Sequence, residues 1–409
     1  MDLEGRFARL WFATVSSNLG DGLVAAAFPL LAASMTGSPT AIAGLSVAAG
    51  LPWLVVGPFA GAVVDRWDRR RSMIAFDFGR GCVVAALALL VVAGTQSLVA
   101  LYAAVLLVGL GETIVDTASQ SILPALVDPG ELERANGRLF ATQTVAQRFV
   151  GPPLGGYLFA LAAAAPIVVD AGSFLVAAFV VATIPGRFGA ARSETTTATS
   201  IRSETVEGLR WLWRHGQIRA FAIGAAILNV AITAGEAILV LFARDVLDVS
   251  EVGFGLLLAA TAAGYTAGAA LTPRIVGSID RRTVVLVAVA GVAGALALVA
   301  AGLLVPTLLA LAVIGIASGL WDVIAVSYRQ AAVPNRLLGR IMAAYRFIAY
   351  GAFPIGALAG GAIADIAGLR APFLFGAALT LALIPFLWWA LSGVPLDPAA
   401  AAASSRDRS

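Results

Sequence analysis

Twelve apolar stretches, each near the roughly 20 residues that cross about 30 Å of hydrocarbon, dictate the solvent in which this chain folds. They run at about 9–35, 40–64, 73–94, 98–122, 138–162, 166–185, 218–243, 252–273, 283–304, 306–330, 341–366 and 372–392. Such lengths suit helices, which satisfy their own backbone polar groups, and lack the short alternating segments of barrel strands. Sixty per cent hydrophobic and 12% charged residues, with a mean hydropathy of +0.91, set the 409-residue chain apart from two or three soluble domains. The first stretch follows Asp2 and Glu4 and precedes eleven others, so it reads as a span rather than a cleaved signal.

The basic residues orient these spans. All 27 are arginine, and an even number of crossings puts 21 of them on the side of both termini. The opposite loops keep only Arg244 and Arg370, while Arg80, Arg148, Arg329 and Arg346 fall within spans. The positive-inside rule therefore makes both termini cytoplasmic. A pI near 9.4 then reports topology, and no basic module interleaved with aromatics marks a nucleic-acid partner. Absence of lysine excludes a lysine-bearing phosphate loop and Schiff-base chemistry. One histidine, His215, and one cysteine, Cys82, build neither a metal site nor an internal disulfide. The expectation is a protein that is not an enzyme, holds no cofactor or metal, and has the lipid bilayer as its partner.

From Arg187 to Gln217 the apolar pattern stops, giving a linker whose Val206, Leu209 and Trp213 recur at helical intervals beside Arg210 and Arg214. That is an interfacial helix. The domains expected are 1–186, 187–217, 218–392 and a tail at 393–409, with six spans in each half. An internal repeat supports the division. An offset of 210 pairs Gly109 with Gly319, Glu112 with Asp322, Gln120 with Gln330 and Pro124 with Pro334, and an offset of 202 then pairs Pro152 with Pro354.

The stretch GAVVDRWDRRR, residues 61–71, closes the second span. Gly61, Asp65, Arg66, Arg70 and Arg71 resemble the motif between spans 2 and 3 of the major facilitator superfamily, with Asp68 where that motif usually has glycine. SNLGDGL, VDRWDRRR, LPALVDPGELERANGRL and VGPPLGGYL look like the branch of drug-proton antiporters that contains bacterial macrolide efflux pumps and enterobactin exporters. The resemblance implies twelve transmembrane helices in two pseudo-symmetric six-helix bundles. It further implies a bacterial cytoplasmic membrane, a monomer, and export of amphipathic small molecules in exchange for protons. An endogenous metabolite such as a siderophore, uncoupled transport, or a membrane sensor are the alternatives. It also implies a conformational latch made by Gly61, Asp65, Arg66 and Arg70, to which Asp116 is added as partner of the loop arginines. A plain positive-inside anchor is the competing account of these arginines.

An ionisable side chain inside a span costs at least about 2.5 to 3.5 kcal/mol on insertion scales, so it faces a cavity or a partner. Asp21, Glu112, Asp116, Glu236 and Asp322 lie on spans 1, 4, 7 and 10, which the resemblance makes cavity-lining. Twelve residues, roughly 18 Å of helix, separate Asp21 from Arg9 and put it near the bilayer centre. Asn18, Gly20 and Gly22 flank it, and Arg148 on span 5 is placed to pair with Asp21 or Glu112. A static ion pair is the competing account of each acid. Trp321, beside Asp322, offers an aromatic face to a cation. Asp77 and Arg80 read as a local pair, and Asp170, near a helix end, receives no role. Gly151, Pro152 and Gly155 mark span 5 as kinked, for bending or for close packing.

Overall fold

Every regular element among the described residues is helical, as a chain without water partners for its backbone requires. A computed structural model describes residues 3–57, 59, 60, 64, 67–186, 188 and 201–392. The helices are α1 (Leu3–Met35), α2 (Pro39–Val55), α3 (Arg69–Val92), α4 (Leu98–Ile122), α5 (Leu132–Gln143), α6 (Gly151–Leu161), α7 (Ala165–Ala182) and α8 (Ile201–Arg214). They continue as α9 (Gly216–Glu236), α10 (Leu239–Asp245), α11 (Glu251–Val276), α12 (Arg281–Ala300), α13 (Leu304–Ala332), α14 (Asn335–Ala367) and α15 (Ala371–Ala390).

Among the described residues ten helical stretches are long and apolar enough to cross a membrane, with α9 and α10 counted as one. Within the second expected span Pro39–Val55 is an apolar helix of 17 residues, Gly57, Phe59, Ala60 and Val64 are helical, and 58 and 61–63 lie outside the described residues. The fifth is interrupted: a π-helical segment, Thr144–Val150, joins α5 to α6. Its cause is local. Pro152 and Pro153 have no N–H to give the carbonyls one turn back, and their rings crowd them. The turn widens, and the Gly151 N–H reaches the Ala146 carbonyl, five residues earlier.

Contacts divide the chain into two units, one of residues 1–37, 44–194 and 243–259, the other of 38–43, 195–242 and 260–409. In the first, α1 packs on α6 and α7, and α3 packs on α4 and α7. The C-terminal end of α7 is closed by arginines. Arg70 donates to the Val181 carbonyl at 3.2 Å, to Gly186 at 3.3 Å and to Ala182, and Arg9 donates to Thr183 at 2.7 Å. Asp68 starts α3 by accepting the Arg71 N–H at 3.0 Å, and its other oxygen accepts the Phe188 N–H at 2.7 Å. In the second unit, α9 packs on α14 and α15, α12 on α13 and α15, and α8 on α14.

Helices without a hydrophobic drive between them associate by backbone proximity, and glycine permits it. Across α11 and α13, a Cβ on Gly264 would lie 2.0 Å from the Ala312 carbonyl oxygen, and one on Gly268 2.2 Å from that of Ile316. From the other side, Gly315 and Gly319 face the Thr261 and Tyr265 carbonyls at 2.1 and 2.4 Å. The two glycine pairs, each four residues apart, face one another. Gly315→Val is therefore expected to separate α11 from α13 and lower the thermal unfolding midpoint, by an overpacking cost of about 1 to 3 kcal/mol. Gly294→Ala, where a Cβ meets nothing within 4 Å, should leave the midpoint unchanged or raise it slightly.

Candidate functional site

Arg80 is the centre of the charged site in the first unit. Its Nη2 donates to Asp21 Oδ1 at 2.7 Å and its Nη1 to Asp77 Oδ1 at 3.2 Å. The Arg80 and Asp77 side chains are each 2% exposed, and that of Asp21 is 11% exposed. The guanidinium lies 3.9 Å from the centroid of the Phe174 ring. Its stem crosses α4 at Gly111, where a Cβ would stand 2.7 Å from Arg80 Cγ. Glu112, Asp170 and Asp116 lie within electrostatic reach of this cation without a direct bond to it. Five carboxylates from α1, α3, α4 and α7 thus share the field of one positive charge.

Asp21 reaches that position because its neighbours have no side chains. A Cβ on Gly20 would fall 2.3 Å from Asp170 Oδ1, and one on Gly22 2.6 Å from the Gln147 carbonyl oxygen. So α1 is held between α7 and the π segment at the level of its acid. Gly151 and Gly155 continue the approach. Their added Cβ atoms would stand 2.5 Å from Gly22 Cα and 2.1 Å from the Leu23 carbonyl oxygen. Pro152 is buried in the first turn of α6. Close packing at Gly151 and Gly155 is what this geometry displays.

Polar space adjoins the ion pairs. A small cavity of about 30 Å³, enough for a water, is lined by Ser17, Asn18, Asp21, Asp77, Arg80 and Asp116, among others. Asn18 and Asp116 also line a larger one of about 290 Å³, whose wall includes Gln120, Asn136, Phe140 and Gln143. Leu10, Ile114, Ala118, Ile122, Val181 and Ile184 belong to one buried apolar cluster of this unit.

Several expected placements change. Asp21 pairs with Arg80 rather than with Arg148. In the widened turn Gln147 is half-buried and lies near Glu112, and Arg148, the next residue, is exposed. Asp116 lies within electrostatic reach of Arg80 and Asp21, and Arg70, one of the loop arginines expected to partner it, is engaged on the carbonyls that end α7. Gly61, Asp65 and Arg66 lie outside the described residues. In the second unit Asp322 is exposed and accepts the Tyr265 hydroxyl at 2.9 Å, a bond that the glycine crossing of α11 and α13 brings about. Trp321 does not present its face to a cavity. It is 4% exposed, edge-on to Phe221 at 5.5 Å and tight against Gly224. Glu236 is exposed at the break between α9 and α10.

Three participants escaped the sequence reading. Arg80 was confined to its neighbour Asp77, Gln147 stood beside a more conspicuous arginine, and Asp170 was discounted for its nearness to a helix end. Asp170 is fully buried. Its signal was available: an acid inside an apolar stretch is costly wherever it stands.

A chain of membrane-length helices with ionisable groups buried among them has the architecture of a multi-pass membrane protein, and solved structures share its fold. A nucleoside transporter, NupG, superimposes with a TM-score of 0.77 at 11% identity, covering 95% of this chain and 100% of that one. A bacterial homologue of the iron transporter ferroportin in its inward-facing state gives 0.68 at 16% identity, covering 93% and 98%. The chain belongs to the transmembrane secretion effector family of the major facilitator superfamily, whose family profile matches residues 3–407. It is a transport protein, not an enzyme. The multidrug efflux pump Tap of Mycolicibacterium fortuitum is 29% identical over 381 residues, 91% of this chain and 92% of that protein. The chain is accordingly a multi-pass bacterial membrane protein.

Removing one partner of a buried ion pair typically costs about 3 to 5 kcal/mol, because the remaining charge is stranded. Arg80→Gln should therefore lower the unfolding midpoint markedly. Adding Asp21→Asn and Asp77→Asn should recover part of the loss, so that a mutant cycle on thermal unfolding shows strong coupling. Arg148→Gln should show none with Asp21→Asn.

Proposed function

We propose that this protein exports amphipathic, drug-like small molecules by proton antiport, using alternating access of two six-helix bundles built from twelve transmembrane helices. The halves are 1–186 and 218–392, joined by the 187–217 linker, and the protein works as a monomer in a bacterial cytoplasmic membrane with both termini inside. The observation that carries this reading is the set of five carboxylates around Arg80 beside a polar cavity. One guanidinium hydrogen-bonds two of them but carries a single positive charge. An ionised acid left over inside the membrane is expensive, so protons neutralise the surplus. The name of the mycolicibacterial relative, a multidrug efflux pump, supports the substrate class.

In the proposed cycle Asp21 takes a proton and lets go of Arg80, whose charge stays with Asp77. Losing the proton restores the pair. Glu112, near Gln147, is the second proton site, and Asp116 carries the cluster to the larger cavity, where the substrate binds. Asp322 with Tyr265 supplies the corresponding acid of the second half, and Glu236 adds a further charge at the break in its span. Trp321 supports Asp322 from behind. Arg148 serves as a surface anchor. Gly61, Asp65 and Arg66 form the latch of the family motif, while Arg70 holds that loop to the end of α7. Gly151, Pro152 and Gly155 provide the bend on which α6 moves against α1.

The test is the purified protein in liposomes containing a pH dye, challenged with a panel of cationic, neutral and siderophore-like compounds. Compound-evoked proton flux is expected, with loss of at least tenfold in Asp21→Asn while labelled-compound binding persists. Exchange of labelled compound without proton flux would replace antiport by uncoupled transport.

A further inference from the structure

The helix that precedes the seventh expected span has two unlike faces. On one, Leu212 is fully buried and a Cβ on Gly208 would stand 2.7 Å from the Arg340 carbonyl oxygen, so α8 is seated firmly on α14. Trp211 stacks on His215 at 5.0 Å with an interplanar angle of 18°. On the other face Leu209, Arg210, Trp213 and Arg214 are exposed, Leu209 at 36% and Trp213 at 46%. Only His215 separates this helix from Gly216, where α9 begins its passage through the membrane, and Arg219 fastens the junction by donating to the Trp213 carbonyl at 3.1 Å.

We propose that the exposed face of α8 is a binding surface for anionic phospholipid headgroups. The connection to α9 holds this face at the level of the leaflet surface rather than in bulk water. There an indole and a leucine enter the boundary between headgroups and acyl chains, and two guanidiniums one turn apart donate to lipid phosphates. Charge selects the occupant. Each basic residue at a leaflet surface raises affinity for anionic lipid by about fivefold, whereas a zwitterionic headgroup offers no net charge. A packed helix pays no ordering cost to present the site, since Gly208 and Leu212 already fix it. This site is independent of what the protein transports.

The experiment uses the full chain in lipid nanodiscs containing phosphatidylcholine and a minor fraction of phosphatidylglycerol, with brominated acyl chains on one lipid or the other. Bromine quenches nearby tryptophan. Brominated phosphatidylglycerol is expected to quench beyond its share of the lipid, and this excess should vanish in Trp213→Phe and fall at least fivefold in Arg210→Gln with Arg214→Gln. In the unaltered protein, raising salt from about 0.05 to about 0.5 M should shrink the excess, because screened charges attract less. Quenching in proportion to lipid content, or an excess that survives both the arginine changes and high salt, overturns the proposal. Release of the excess by a soluble acidic peptide at low salt would also overturn it, by showing the face to be a protein-docking surface.

Discussion

The guanidinium of Arg80 is the charge on which the first unit is organised. It gives one hydrogen bond to Asp21 on α1 and one to Asp77 on its own helix, while Phe174 of α7 covers its face. Three helices therefore meet at one side chain. A cation this deep would be intolerable alone, and the acids would be intolerable without it. Each group makes the others possible, which ties the helix packing to the electrical state of the site.

That dependence explains where the glycines fall. Gly111 gives the arginine stem its passage over α4, Gly20 clears room for Asp170, and Gly22 lets α1 touch the π segment. Bulk at any of these would move a charge by an ångström or more, and a charge-assisted hydrogen bond near 2.7 Å does not stretch that far. The second unit uses the same device for a different end. Its crossing at Gly264, Gly268, Gly315 and Gly319 sets Tyr265 beside Asp322, so a backbone contact positions a side-chain bond. Gly109 and Gly319, paired by the internal repeat, both sit at close crossings, against Pro52 and the Tyr265 carbonyl.

The helical, multi-pass character was legible because hydrocarbon imposes a length and a polarity on each segment. Asp21 was legible for the same reason, as an acid where acids are costly. What escaped depended on distance or on register. Arg80 and Asp21 are 59 residues apart, and spacing alone ties Arg80 only to Asp77, three residues away. In span 5 the two prolines were read as a kink, but they widen the preceding turn, and a widened turn rotates everything before it. An ideal helix gave no reason to prefer Gln147 over Arg148 as the neighbour of Glu112. The loop motif misled in another way. Asp68, which departs from the pattern, caps α3 and reaches Phe188, and Arg70, which matches it, closes α7.

These two residues bear on what the motif is for in this chain. An aspartate in the glycine position adds a bond from the loop to the chain beyond α7, and Arg70 adds three more to the same helix end. The four carbonyls at the end of a helix have no partners of their own, and the half-buried Arg70 takes those of Val181 and Ala182 together. The segment from Trp67 to Arg71 is thereby built into the first unit. Groups held by fewer contacts are more easily released. Asp21 answers that description: it shares Arg80 with a second acid, so its bond can be lost while the cation keeps a partner.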